Sequence, residues 1–127
     1  MKNKSIAAPL ALSIFFSTVL LLTDAELWTV APSHAYALAG FMAADVVVTV
    51  LALKGHPRIP AMGTVYGVGK FAVFLGDILT APEFGLTYGE FAAYLFSLWG
   101  YNGLLVSQLL IAAGSYLDWR RQTTTRS

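Results

Sequence analysis

The sequence predicts an all-α integral membrane protein, a bundle of four transmembrane helices with both termini on the cytoplasmic side. Two observations carry this prediction. Hydrophobic residues make up 57% of the 127-residue chain and charged residues only 12%, against about 25% charged residues in an average soluble domain. The charges outside the apolar stretches also alternate in sign along the chain. A chain this short and apolar cannot bury enough of its surface in water, and its length predicts a single membrane domain over residues 1–127.

Four apolar stretches are long enough to span a bilayer, whose core of about 30 Å requires roughly 20 residues of helix. The predicted spans are residues 6–23, 35–53, 62–80 and 91–117, and a polar cytoplasmic tail follows at 118–127. The stretches are too continuous for the alternating pattern of barrel strands. The fourth is the longest, so we expect it to tilt, to kink near Gly100–Gly103 or to project from the membrane. We expect residues 122–127 to be disordered.

The first span has an alternative interpretation. Lys2 and Lys4, the apolar run and then Ala25 also fit a secretory signal peptide that is cleaved after Ala25. The apolar run is about 18 residues long, whereas signal peptides usually have about 7–15. The length therefore favours a permanent membrane anchor.

The loop charges predict the orientation of the spans. Lys54 and Arg58 lie between the second and third spans, whereas the other two loops carry only acids. The remaining cations outside the spans flank the chain at its two ends, and they are Lys2, Lys4, Arg120, Arg121 and Arg126. Because cationic loops stay on the cytoplasmic side, both termini are predicted to face the cytoplasm. The expected location is a membrane, with the plasma membrane of a prokaryote as the favoured one.

Three ionisable residues, Asp45, Lys70 and Asp77, fall inside predicted spans. Each costs about 2.5–3.5 kcal/mol at the centre of a membrane helix, so each needs a partner or a cavity. Asp45 and Lys70 lie near the midplane of consecutive spans, which we expect to pack side by side and to pair these charges. Asp77 lies on the same helix face as Lys70 and about 10 Å further along the helix. Tyr66 lies on that face one turn before Lys70. The four side chains would form a polar column, whose role is a structural ion pair, an ion or proton relay, or a ligand site. Alternatively, Asp77 lies near enough to the outer surface to be solvated.

The fourth span carries polar and small residues at heptad spacing. In lipid, such residues let helices approach closely and form hydrogen bonds across the contact. They are candidates for packing within the bundle or for contact with partner subunits, and they comprise Tyr94, Gly100, Tyr101, Asn102, Ser107, Gln108 and Gly114.

The sequence lacks the residues that several kinds of chemistry require. The chain has no cysteine, and its two histidines lie in loops on opposite predicted sides of the membrane. We therefore predict no catalytic residue, no metal and no cofactor, haem included. The net charge of +1 without a basic stripe predicts no nucleic-acid partner. A metal site on the predicted outer side stays open as an alternative, and its ligands would come from Asp24, Glu26, His34, Glu83 and Glu90.

These expectations favour a small non-catalytic accessory or structural subunit of a larger multi-subunit membrane complex, for example a respiratory or oxidative one. Its partners would be the lipid bilayer and other integral membrane subunits, and a homo-oligomer stays open. The alternative is a small ion- or proton-coupled transporter or channel that uses Asp45, Lys70 and Asp77. An enzyme ranks third.

Overall fold

The computed structural model describes residues 4–126 as an all-helical chain. Lys2 and Ser127 lie outside the described residues, as do the side chains of Lys4 and Arg126, so the structure does not bear on their part in the orientation. The elements in chain order are α1 (Lys4–Thr23), α2 (Ala25–Thr29), α3 (Pro32–Leu53), α4 (Ile59–Gly76), a 3₁₀ helix (Asp77–Phe84), α5 (Tyr88–Ser97) and α6 (Trp99–Arg126). No strand occurs anywhere in residues 4–126.

Three stretches are long and apolar enough to cross a membrane, and a fourth qualifies if two bent helices count as one span. The three are Ser5–Thr23, Pro32–Leu53 and Ile59–Phe84, and the bent pair is α5 with residues 99–124 of α6. The prediction of an all-helical chain with apolar helices of membrane-spanning length is therefore confirmed.

The fourth predicted span is not one continuous helix: it bends sharply two residues before Gly100, close to the expected kink near Gly100–Gly103. The axes of α5 and α6 differ by 88°, and the break lies at Leu98, whose backbone is extended (φ −88°, ψ 114°). A capping box between Thr87 and Glu90 starts α5 independently. Its Phe91 ring then packs on Phe84 of the 3₁₀ helix, 5.5 Å between centroids. This packing holds α5 across the end of the bundle rather than along the axis of α6.

The tail is also more ordered than expected. Helix α6 continues to Arg126, so the prediction of disorder was wrong for residues 122–126. The amide of Gln122 donates a 2.9 Å hydrogen bond to the carbonyl oxygen of Pro57 in the α3–α4 turn. This contact ties the last turns of α6 to the rest of the bundle.

The helices pack in the order α3, α1, α6, α4. Helix α4 lies against α6, α6 against α1, and α1 against α3, whereas α3 and α4 share little contact although they are consecutive. The packing of α3 on α4 is therefore looser than expected: the two helices meet through long side chains, such as Asp45 with Lys70 and Phe41 with Phe74, rather than closely along their backbones. The reason lies at Gly67 of α4, where an added Cβ would lie 2.7 Å from the backbone nitrogen of Ala112 in α6. The missing side chain lets α4 approach the backbone of α6 closely.

Hydrogen bonds show which segments meet at each end of the bundle. Ser5 donates a 2.6 Å bond to Asp118, which brings the start of α1 to the end of α6, beside the α3–α4 turn. At the opposite end Tyr94 of α5 donates a 2.8 Å bond to Asp24, which follows α1. The loop cations and the loop acids are therefore gathered at opposite ends of the bundle.

Candidate functional site

The strongest polar feature inside the bundle is the ion pair between Asp45 of α3 and Lys70 of α4. The Nζ atom of Lys70 lies 2.5 Å from Oδ1 of Asp45, and their side chains are 2% and 0% exposed. The structure thus brings together the two charges that the sequence placed at the same depth. A buried charge without a partner is very costly, so each of the two side chains makes burial of the other tolerable.

Side chains from the same chain complete the hydrogen bonding of the pair. Ser13 of α1 donates to Oδ2 of Asp45 over 2.6 Å, and Tyr66 of α4 donates to Oδ1 over 2.5 Å. Lys70 also donates to Ser13 Oγ at 3.2 Å, and Gln108 of α6 donates to the same oxygen at 2.9 Å. We call these five side chains the ionic cluster. Its members come from α1, α3, α4 and α6, so the four long helices meet at this point.

The ionic cluster lies between two apolar layers. The layer on the side of the loop acids includes the buried residues Leu38, Phe74 and Leu104. The layer on the opposite side includes Ile59 and Ile111, which are also buried. Each of these residues lies within two turns of a cluster member on its own helix. The charges are therefore enclosed by apolar packing above and below, where electrostatic attraction is strong.

Asp77 does not extend the ionic cluster as the predicted polar column required. The turn between Lys70 and Asp77 is occupied by the buried ring of Phe74, whose centroid lies 5.8 Å from Lys70 Nζ. Asp77 begins the 3₁₀ helix, on the far side of Phe74 from Lys70. The column is thus divided into the ionic cluster and a separate acidic site nearer the end of the bundle.

The polar and small residues predicted on the fourth span mostly contact their own chain. Tyr101 is buried and donates a 2.6 Å bond to the carbonyl oxygen of Phe74. At Gly114 an added Cβ would lie 2.6 Å from the carbonyl oxygen of Ser5, so this glycine admits α1. The same inward packing holds for Tyr94, Gly100, Ser107 and Gln108.

Asn102 is the one residue of this set that does not face the interior of the bundle. Its side chain is exposed, and its amide donates a 2.8 Å bond to the carbonyl oxygen of Phe96, across the break between α5 and α6. This bond bridges the corner at Leu98.

Sequence reasoning missed the part that Ser13 plays. Serines in membrane helices often bond only to their own backbone, so a single serine gives little signal. Its depth was informative, because Ser13 lies near the middle of the first predicted span, level with Asp45 and Lys70. Gln108 was singled out, but as a packing or partner-contact residue.

Two buried polar atoms of α6, Gln108 Oε1 and Ser115 Oγ, have no hydrogen-bond partner within the described part of the chain. They lie two turns apart on one face of the helix. Unpaired buried polar atoms of this kind are the usual sites of internal water.

The residues considered for a metal on the predicted outer side do not form a compact ligand set. Within residues 4–126, no three His, Asp or Glu side chains are grouped closely enough to hold a metal ion. Asp24, Glu26, His34 and Glu90 instead line a cavity at this end, whereas Glu83 does not.

Comparison with known proteins adds no assignment: no protein-family model, no curated protein and no solved structure matches this chain.

Proposed function

We propose that the chain is a non-catalytic, four-span membrane subunit that assembles with other integral membrane proteins. The outer surface of the helices supports insertion in a bilayer. On α4 alone, Val65, Val68 and Val73 are at least half exposed. Contiguous apolar surface of this kind promotes aggregation in water but is the ordinary surface of a helix in lipid.

The gathering of loop cations and loop acids at opposite ends supports an orientation with both termini in the cytoplasm. Helix α6 has 28 residues, about 42 Å at 1.5 Å per residue, which exceeds a hydrocarbon core of about 30 Å. Its last turns, with the exposed Arg120 and Arg121, would extend into the cytoplasm. These turns offer a partner protein a helical surface that carries positive charge.

The observation that best supports a structural role is that the ionic cluster is closed to solvent. Both charges are shielded from solvent and satisfied by side chains of the same chain. A buried ion pair fixes which helices meet and in which register, although it adds little net stability over an apolar contact. A transport pathway needs access from both sides, whereas apolar layers close the cluster above and below.

The test is purification of the full-length chain at native expression level in a gentle detergent, followed by native gel electrophoresis and mass spectrometry. Co-migration of larger membrane proteins in fixed stoichiometry supports the proposal, and a lone monomer or homodimer contradicts it. Asp45→Asn should reduce the yield of the complex, whereas Glu83→Gln, which removes an exposed acid, should not.

One observation favours a second candidate, a small ion- or proton-coupled transporter. Water held by the unpaired atoms Gln108 Oε1 and Ser115 Oγ would connect the ionic cluster with the cytoplasmic end of α6. Asp77, on the other side of Phe74, would receive the ion from the acidic end. Proteoliposomes containing a pH-sensitive dye test this idea. A transporter gives a flux that Asp45→Asn abolishes without loss of assembly, and equal rates in wild-type, variant and empty liposomes exclude proton coupling.

A further inference from the structure

The acidic end of the bundle contains a cavity of about 600 Å³. This volume is in the range of sites that hold drug-sized molecules, about 300–1,000 Å³. Every helix contributes to its lining, from Leu20 of α1 to Leu104 of α6. The right-angled corner at Leu98 helps to create it, because α5 is turned across the end of the bundle instead of filling the space beside α1.

Aromatic rings form much of the cavity wall. Phe41 and Phe74 meet edge to face at 5.4 Å on the side of the ionic cluster. On the side of α5, Phe91 stacks on Tyr94 at 6.5 Å and meets Phe84 edge to face. Rings held by one another in this way offer rigid π faces, which attract organic cations as well as apolar groups.

The ionisable side chains that line the cavity are acidic, apart from one histidine. Four carboxylates, Asp24, Glu26, Asp77 and Glu90, line the cavity together with His34, and no lysine or arginine of the described residues does. Asp24 is held in place by the Tyr94 hydroxyl, which donates to it. Asp77 is partly buried and has no cation within ion-pair distance among the described side chains. The lining therefore attracts positive charge and disfavours anions.

We propose that this cavity binds a lipophilic organic cation, a molecule with an apolar or aromatic body and a quaternary ammonium, phosphonium or amine centre. The aromatic wall takes the body, and the carboxylates attract the charge: Asp24 and Asp77 are partly buried beside the wall, and Glu26 and Glu90 are exposed. A neutral apolar molecule of the same size would leave the carboxylates without compensation, and an anion would be repelled. The site is separate from the ionic cluster, since Phe74 lies between them, and it does not depend on the proposed subunit role.

Equilibrium binding to the full-length chain in lipid nanodiscs tests the proposal with two probes of the same shape and opposite charge. Tetraphenylphosphonium is the cation and tetraphenylborate is the matched anion, and empty nanodiscs measure partitioning into lipid. Asp77→Asn removes one carboxylate of the site. Glu83→Gln is its matched control, because Glu83 lies on the same 3₁₀ helix but outside the cavity. Ala93→Trp fills space from an exposed lining position of α5, so it tests the cavity without altering a buried residue.

We expect saturable binding of the phosphonium beyond the nanodisc background and no saturable binding of the borate. Asp77→Asn and Ala93→Trp should each weaken phosphonium binding about tenfold or more, the factor that corresponds to about 1.4 kcal/mol, and Glu83→Gln should leave it unchanged. Binding of both probes with equal affinity would overturn the proposal. The absence of saturable phosphonium binding, or a dissociation constant that Ala93→Trp leaves unchanged, would overturn it as well.

Discussion

Replacing Asp45 by asparagine isolates the ion pair, because the substitution keeps the shape of the side chain and removes its charge. Lys70 would stay buried, at 2% exposure, without its only ion-pair partner among the described residues. Tyr66 and Ser13, which now donate to opposite carboxylate oxygens, could not both keep an acceptor. Removal of one member of a buried pair costs about 3–5 kcal/mol, against a total stability of about 5–15 kcal/mol. We therefore expect Asp45→Asn to lose a large part of the free energy of unfolding.

The assay is reversible unfolding of the full-length chain in mixed micelles with a denaturing detergent, followed by circular dichroism. Glu83→Gln serves as the control and should stay within about 0.5 kcal/mol of the wild type. The double variant Asp45→Asn with Lys70→Met should recover a large part of the loss, because it leaves no unpaired charge buried in the bundle. The reasoning is refuted if Asp45→Asn costs less than about 1 kcal/mol, a value well below the range for breaking a buried pair, or if the double variant is less stable than Asp45→Asn alone.

Three further substitutions test how the helices pack on one another. Gly67→Ala should destabilise by about 1–3 kcal/mol, because the new Cβ would clash with the backbone of α6. Gly69→Ala, where nothing lies within 4 Å, should be neutral or slightly stabilising in the same unfolding assay; equal losses at both positions would argue against close approach of α4 and α6. Tyr94→Phe removes the hydrogen bond to Asp24 and should cost about 1 kcal/mol. It should also speed hydrogen exchange in α5, and unchanged exchange there would show that this bond does not hold the corner.

The helical class and the ends of the first two long helices were predictable because they follow from local composition. The spans that begin near Ile6 and Ala35 end, as expected, at Thr23 and Leu53. The similar depth of Asp45 and Lys70 in consecutive spans indicated their pairing, which the structure shows. These features depend on position along one helix axis, which sequence spacing gives directly.

The features that sequence reasoning missed depend on contacts between segments that are distant in the chain. Gly100 and Gly103 indicated a kink in the fourth span, but they did not give its 88° angle, which the packing of Phe91 on Phe84 helps to hold. The order of helices depends on how closely α4 can approach α6 at Gly67. Neither contact leaves a periodic signal, and the cavity that results from the corner leaves none either.

The ionic cluster has a consequence for the order in which the nascent chain assembles. Asp45 leaves the ribosome early, Lys70 follows, and Gln108 is made after both. In the proposed membrane topology, α3 and α4 must hold opposite charges in the bilayer although they share little contact of their own. Entry of the two as a neutral hairpin would avoid exposing either charge to lipid. The synthesis of α6 then completes the enclosure. A chain that stops before α6 would therefore leave the ion pair without the cover of Gln108.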